Sequence, residues 1–182
     1  MAYLNVCIGE LGTNRKRFTI AEDGEEFYMT SLYCLGMELP IVASSYYVDK
    51  YKGEKVKCSI VPNTKKKKVQ GKRRVFTYLW CVFMEPTDED ESRAVEIKGK
   101  VVDVDELVLS DDCTTRVKFK LECRVKLDNL PVARFPCVAY EHQARKLLTI
   151  KPGDFVSIRG YISGYGTHIR VVAQHAEKEV RK

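Results

Sequence analysis

The stretch RVKFKLECRV, residues 116–125, alternates strictly between charged and apolar side chains. One set is Arg116, Lys118, Lys120, Glu122 and Arg124, and the other is Val117, Phe119, Leu121, Cys123 and Val125. A period of two is typical of a β-strand that buries one face and exposes the other. This stretch therefore predicts a half-buried strand and favours an all-β fold for the residues around it.

The rest of the second half continues this pattern. Further strands are predicted at 97–104, 132–140, 154–162 and 168–173, where β-branched and aromatic residues are frequent. A helix is expected at 141–150, and the Pro-Gly pair at 152–153 ends it. In the last two strands the alternation predicts an inward-facing set of Val156, Ile158, Ile162, Ile169 and Val171.

The first half repeats this order of elements. The sequence LPIVA at 39–43 parallels LPVA at 130–133, and KGEKVKCSI at 52–60 parallels KPGDFVSI at 151–158. Strands are predicted at 4–11, 26–35, 39–45, 54–61 and 75–84, and the segment 46–51 has room for a turn or a very short helix. The chain therefore reads as two copies of one fold.

An acidic run, Asp88-Glu89-Asp90-Glu91, divides the two copies and has no apolar periodicity. We expect a first domain at 1–87, an acidic linker at 88–94 and a second domain at 95–182. Each domain then has five strands and at most one short helix between the third and fourth strands. That order predicts two tandem five-stranded OB-fold barrels. An SH3-like barrel, which lacks the helix, is the alternative fold.

A basic run, KKKKVQGKRR at 65–74, places seven positive charges in ten residues. The whole chain carries a net charge of +6, so the rest is close to neutral. We expect this run to form a loop between the fourth and fifth strands of the first domain. Its charge predicts an anionic partner such as nucleic acid, with a solvated loop as the alternative. The cations are Lys65, Lys66, Lys67, Lys68, Lys72, Arg73 and Arg74.

Three aromatic residues, Phe76, Tyr78 and Trp80, form one row of the next strand. Both rows of this strand are apolar, so the alternation does not decide which one faces outward. If the rings face out, they offer stacking platforms for bases, with Lys55 and Lys57 of the neighbouring strand beside them. The alternative is that the rings belong to a core or to an interface between the barrels.

The predicted outer face of the second domain is basic with interspersed aromatic residues. Cations neutralise phosphates and rings stack on bases, so such a face suits single-stranded nucleic acid. The alternative is a solvated face without a ligand. The candidate residues are Arg116, Lys118, Lys120, Arg124, Arg159, Tyr161, His168 and Arg170.

Five segments of the second half resemble the bacterial single-stranded DNA-binding protein family and its relative, primosomal replication protein B. They are EIKGKVV at 96–102, FPCVAY at 135–140, HQARKL at 142–147, IKPGDFVSIRGYIS at 150–163 and HAE at 175–177. The resemblance implies an OB fold, binding to single-stranded DNA largely without regard to sequence, and a role in replication, recombination or repair. Replicative members end in a Gly/Pro-rich tail with an acidic tip, whereas residues 175–182 read HAEKEVRK. That ending favours an accessory or specialised single-strand binder.

Other features narrow the function further. The seven cysteines show no Cys-x-x-Cys spacing and form no ligand motif with the three histidines, so we expect neither a metal nor a cofactor. No catalytic motif is visible, and no signal peptide or membrane span is predicted. We therefore expect a cytoplasmic, non-enzymatic protein that binds single-stranded DNA, as a two-barrel monomer or a homodimer, alongside replication proteins. Binding to RNA and a protein–protein adaptor role remain the alternatives.

Overall fold

The computed structural model describes residues 5–109, 115–123 and 133–180. The chain divides into two compact units. Within the described residues, the first unit comprises residues 5–93 together with Gly164–Ile169, and the second comprises the described parts of Ala94–Ser163 and residues 170–180.

The first unit is a barrel built from six strands and one short helix. They are β1 (Asn5–Leu11), β2 (Lys16–Ile20), β3 (Glu26–Cys34), β4 (Met37–Ser44), α1 (Ser45–Tyr51), β5 (Lys55–Val69) and β6 (Lys72–Pro86). The sheet order is β1-β5-β6-β4-β3-β2, and additional pairing of β1 with β3 closes it into a ring. Since β2 also pairs with β3, β1 and β2 together act as one bent first strand.

The second unit is also a closed barrel. Its elements are β7 (Ala94–Val108), β8 (Arg116–Cys123), β9 (Ala133–Tyr140), α2 (Glu141–Lys146), β10 (Phe155–Tyr165) and β11 (His168–Glu179). The order is β10-β11-β9-β8-β7. The long strand β7 pairs with β10 over its first half and with β8 over its second half, just as β1 and β2 divide these pairings in the first unit.

The two units share one topology. In each, the third strand runs parallel to the fifth, as Ile41 opposite Leu79 and Cys137 opposite Val171 show. All other neighbouring strands are antiparallel, and the helix lies between the third and fourth strands. This is the arrangement of the OB barrel. The prediction of two tandem OB folds is confirmed, and the SH3-like alternative is excluded.

The cores follow the alternation read from the sequence. Val117, Phe119 and Leu121 of β8 are completely buried. The inward set predicted for β10 and β11 is also buried, with exposed fractions of 0–1% for Val156, Ile158, Ile162, Ile169 and Val171. Burial of such side chains is the main favourable contribution to folding.

The turn before the fourth strand carries the internal repeat most clearly. Gly53 and Gly153 occupy matching places in the paralleled segments, and both have a positive φ, of 76° and 100°. Glycine adopts this conformation without the steric cost that a Cβ would add. The repeat thus marks a backbone requirement that both barrels share. The other paralleled block, residues 130–133, lies almost entirely outside the described residues.

The basic run is not a loop, and this corrects the sequence-based expectation. Strands β5 and β6 continue through it as an antiparallel hairpin, with Lys65 opposite Phe76 and Lys68 opposite Arg73. A two-residue turn connects them, because Gln70 and Gly71 have φ values of 49° and 77°, as a type I′ hairpin turn requires. We call residues 65–74 the basic arm.

Two further expectations differ in detail. Strand β2 was not predicted, since its exposed and half-buried residues show no clear alternation. Helix α2 ends at Lys146 rather than at residue 150. The acidic stretch contacts the first unit: Ser92 exchanges two backbone hydrogen bonds with Ile8, and the Glu91 carboxylate accepts one from the Leu35 amide.

Candidate nucleic-acid interface

The outer face of the first unit carries the aromatic row of β6. Thr77, Leu79 and Cys81 point inward and are at most 4% exposed. The other row, Phe76, Tyr78 and Trp80, therefore lies on the outside of the barrel. The alternation alone did not decide which row of this strand faces outward. In the structure the smaller residues fill the interior, so the aromatic row faces outward.

The three rings of this row are not equally accessible. Phe76 and Trp80 are half-buried, whereas Tyr78 is only 4% exposed because Phe18 of β2 covers it, with ring centroids 4.9 Å apart. Burial raises the pKa of the Tyr78 phenol to about 12. Tyr78 consequently offers no ring face of its own to a ligand.

Two aromatic residues that the sequence did not single out complete this surface. Phe27 of β3 packs against Trp80, with ring centroids 4.7 Å apart and planes inclined by 33°. Phe18 lies over Tyr78, and both Phe18 and Phe27 are half-buried. Phe27 and Trp80 belong to non-adjacent strands, so only the strand order brings them together. We call Phe18, Phe27, Phe76 and Trp80 the aromatic patch.

Cations adjoin the aromatic patch directly. The Lys65 ammonium lies 4.2 Å from the centroid of the Phe18 ring, within the range of a cation–π interaction. Lys65 is also opposite Phe76 in the β5–β6 register, so both side chains emerge on the same face. The aromatic patch therefore continues into the basic arm without a break.

The two faces of the basic arm differ in what lies beside them. Facing residues of an antiparallel pair share a side, so the register assigns Lys65, Lys67, Lys72 and Arg74 to the side of Phe76. Lys66, Lys68 and Arg73 project to the opposite side with Val75. All seven cations are exposed. Within the described part of the chain, none of them has a carboxylate within ion-pair distance.

An open groove of about 690 Å³ lies on the same outer face of the first unit. Met29 of β3 and Pro40 of β4 line it, and Arg15 and Lys16 supply cations. Tyr165, which is 90% exposed, stands at the groove. In the strand register Met29 is opposite Val42, and Val42 is opposite Trp80, so the groove extends the surface of the aromatic patch.

His168 joins this surface although it belongs to the predicted set of the second domain. It lies in the segment Gly164–Ile169, which is part of the first unit. The Thr77 amide and hydroxyl both donate hydrogen bonds to the Thr167 carbonyl, at 2.7 and 2.9 Å. These bonds hold the exposed His168 ring stacked near Phe76, with centroids 6.3 Å apart.

Lys55 and Lys57 do not flank the aromatic patch. Lys55 is opposite Glu10 and Lys57 is opposite Glu85, towards the other end of β5. The Lys57 ammonium also donates a 2.6 Å hydrogen bond to the Glu89 carboxylate, which raises the pKa of Lys57. The expectation that these two lysines border the rings is therefore corrected by the strand register.

The predicted basic residues of β8 form ion pairs with carboxylates of β7. Arg116 and Lys118 both bind Glu106, at 2.8 and 2.9 Å. Lys120 binds Asp105 at 2.8 Å and Asp103 at 3.5 Å. These three cations thus face three carboxylates, and the surface expected to be basic is close to neutral. Arg124, the fourth predicted cation of this row, lies outside the described residues.

The remaining predicted residues of the second unit differ from one another in exposure and in their neighbours. Arg159 is exposed and lies opposite Glu96. Tyr161 and Arg170 are half-buried, and the buried Nε of Arg170 has no hydrogen-bond partner among the described residues. The structure does not gather them into a surface that combines rings with unpaired cations, as it does on the first unit.

Most cysteines are core residues. Cys7, Cys34, Cys58, Cys81 and Cys137 are at most 3% exposed and unpaired. Desolvation raises the pKa of the Cys7 thiol to about 12, so it stays protonated at neutral pH. In the described chain no cluster of ligating side chains could hold a metal ion. No helix there has the length and apolarity to cross a membrane.

The fold and this surface define an OB-barrel protein with an aromatic and basic outer face. No family model and no curated protein sequence matches the chain. Among solved structures, it is similar to a deletion variant of the single-stranded DNA-binding protein from Thermus aquaticus, with a TM-score of 0.75 and 14% identity over 97% of this chain and 94% of that chain. The wild-type Thermus aquaticus protein gives a TM-score of 0.72 and 15% identity over 97% and 92% of the two chains. The chain thus has the double-barrel fold of a bacterial single-stranded DNA-binding protein.

Proposed function

We propose that this protein binds single-stranded DNA, largely without sequence preference, on the outer face of the first unit. The observation that carries the proposal is the continuity between the aromatic patch and the adjoining cations. Bases stack on rings, contributing about 1–3 kcal/mol per base, and do so with little regard to base identity. Cations placed beside the rings neutralise the phosphates of the same strand.

The geometry assigns separate tasks to the two kinds of residue. Trp80 and Phe27 present neighbouring ring surfaces for consecutive bases, with Phe76 further along β6 and His168 of β11 beside it. The phosphates then run over Lys65, Lys67, Lys72 and Arg74, which share the side of Phe76. Four such contacts give a log–log salt dependence of about −3, at about −0.7 per phosphate of a single strand.

Duplex DNA fits the aromatic patch less well than a single strand. Its base faces are hidden within the stack, so the rings of Trp80 and Phe27 would gain nothing from it. The similarity to the Thermus aquaticus protein supports the same proposal through the shared fold. We extend it to a role in DNA replication, recombination or repair, in which the protein works beside other replication proteins.

Other features of the chain bear on its cellular compartment and its oligomeric state. The buried, unpaired thiols suit a reducing compartment, and we place the protein in the cytoplasm. We assign it a binding role without catalysis. Because one chain already carries two barrels, a monomer could present both, and a homodimer would double them; sedimentation measurements distinguish these states.

The deciding experiment compares matched dT, rU and duplex oligomers in titrations at several salt concentrations. The proposal requires dT to bind more tightly than duplex, with affinity that falls as salt rises. Tighter binding of rU than dT would make the protein an RNA-binding protein instead. Undetectable binding of every oligomer at low salt would overturn the proposal in favour of an adaptor that binds other proteins.

A further inference from the structure

The far side of the basic arm takes no part in the proposed binding of a single strand to the aromatic patch. Lys66, Lys68 and Arg73 point away from Phe76, and all three are exposed. A single strand lying on the aromatic patch meets one side of the hairpin. Its phosphates would leave these three cations without a counter-charge.

The basic arm also lacks the residues that bind unpaired bases. From Lys65 to Val75 there is no aromatic residue, whereas rings cluster from Phe76 onward. A second single strand on the arm would need platforms for its bases. Duplex DNA needs none, because its bases already stack on each other and its phosphates line both edges of each groove.

The shape of the basic arm also fits a duplex. Five residues on each strand, at about 3.3 Å per residue, reach about 16 Å. A two-stranded ribbon is one of the elements that the major groove admits, and this groove is about 12 Å wide and about 8.5 Å deep. A ribbon in a groove has a phosphate row beside it, and the row on the far side of the arm would meet Lys66, Lys68 and Arg73.

We infer that the preferred ligand is a junction, in which the single strand lies on the aromatic patch and the adjoining duplex takes the basic arm into its groove. This inference rests on the proposed function and names its substrate class. The near-face cations serve the single strand where it leaves the aromatic patch, and they are Lys65, Lys67, Lys72 and Arg74. Lys66, Lys68 and Arg73 contact phosphates of the duplex.

The test uses two triple variants of the full chain that remove equal charge from opposite faces. One is Lys66→Gln, Lys68→Gln and Arg73→Gln, and its matched control is Lys65→Gln, Lys67→Gln and Arg74→Gln. The probes are oligo-dT, the same oligo-dT joined to a short duplex, and the blunt duplex alone, all at one salt concentration. Thermal melts verify that both variants fold, as expected for exposed residues.

The unaltered protein is expected to bind the junction on the order of 10-fold more tightly than either oligo-dT or blunt duplex. The far-face variant should lose that preference and keep its affinity for oligo-dT, whereas the control variant should lose affinity for oligo-dT itself. Equal binding of junction and oligo-dT by the unaltered protein would overturn the inference, as would equal losses on both probes in the far-face variant. Failure to bind oligo-dT at all would instead remove the proposed function.

Discussion

Phe27 and Trp80 lie ring to ring on the outside of the first barrel, with centroids 4.7 Å apart, although 52 positions separate them in the sequence. Strand β4 runs between their strands. Val42 of β4, opposite Trp80, is completely buried despite facing outward. The two rings thus cover β4 on the outside of the barrel, and both are half-buried.

Trp80 provides the first prediction, because it is the single tryptophan of the chain. Its fluorescence should change on titration with oligo-dT. Replacing Trp80 with Phe keeps a ring, whereas Trp80→Ala removes about 1–3 kcal/mol of stacking, or about 5- to 150-fold in affinity. Fluorescence anisotropy of a labelled oligomer measures both variants. Equal affinities for the Ala and Phe variants, with both folded, would show that Trp80 does not stack on bases.

A second prediction concerns salt. Removing Lys65, Lys67 and Arg74 together should reduce the magnitude of the log–log salt slope by about 2, since each phosphate contact contributes about 0.7. The matched controls are Lys57→Gln and Lys120→Gln, whose ammonium groups already bind carboxylates. These controls should leave the slope nearly unchanged. An unchanged slope in the triple variant would place the near face of the arm outside the interface.

Tyr78 makes the free energy of unfolding depend on pH in the alkaline range. The folded pKa is raised to about 12 from the ordinary value of 10.0, so the phenol is neutral in both states below pH 10. Above pH 10 the unfolded chain loses this proton first, and the contribution of Tyr78 to the free energy of unfolding falls by about 1.4 kcal/mol per pH unit until about pH 12. Urea unfolding at a series of pH values checks this. The Tyr78→Phe variant should lose this part of the decline while the cysteine contributions remain, and parallel curves would contradict it.

Glu106 makes an opposite, acid-side prediction. Hydrogen bonds from Lys118 and Arg116 lower its pKa from the ordinary value of 4.5. The stabilising contribution is therefore present above the unfolded pKa and is lost as the pH falls through the folded pKa. A Glu106→Gln variant should be less stable than the unaltered protein at neutral pH, and the difference should close in acid. Urea unfolding of both proteins at a series of pH values measures this difference, and a difference that persists unchanged in acid would contradict the prediction.

The sequence predicted the barrels because one-sided burial leaves a period of two. In β8 the apolar residues fill the interior and the charged ones meet solvent, so the alternation is visible directly. The same signal fails in the basic arm, where both faces are exposed and charged. Strands β5 and β6 continue there through cross-strand pairing and a tight turn at Gln70-Gly71, which leave no apolar pattern.

The sequence identified only part of the candidate site, because strand order and register decide which residues become neighbours in a sheet. Phe76 and Trp80 were recognised on β6, but Phe18 and Phe27 come from strands whose position beside them follows from barrel closure. The matching of Lys118 and Lys120 by acids likewise depends on two irregularities in the β7–β8 register, after Val101 and after Val104. Each shifts which β7 residue lies opposite a β8 cation, and neither has a visible signature in the sequence.

In the basic arm, whether a deletion removes an even or an odd number of residues from a strand decides on which side the remaining cations project. Deleting two residues from each strand would shorten its reach and return every remaining cation to its original side. Deleting a single residue from one strand would instead exchange the sides of that strand's cations between the deletion and the turn. Insertions and deletions in this arm therefore sort into two classes, those that alter only how far it extends and those that reassign which ligand each charge meets.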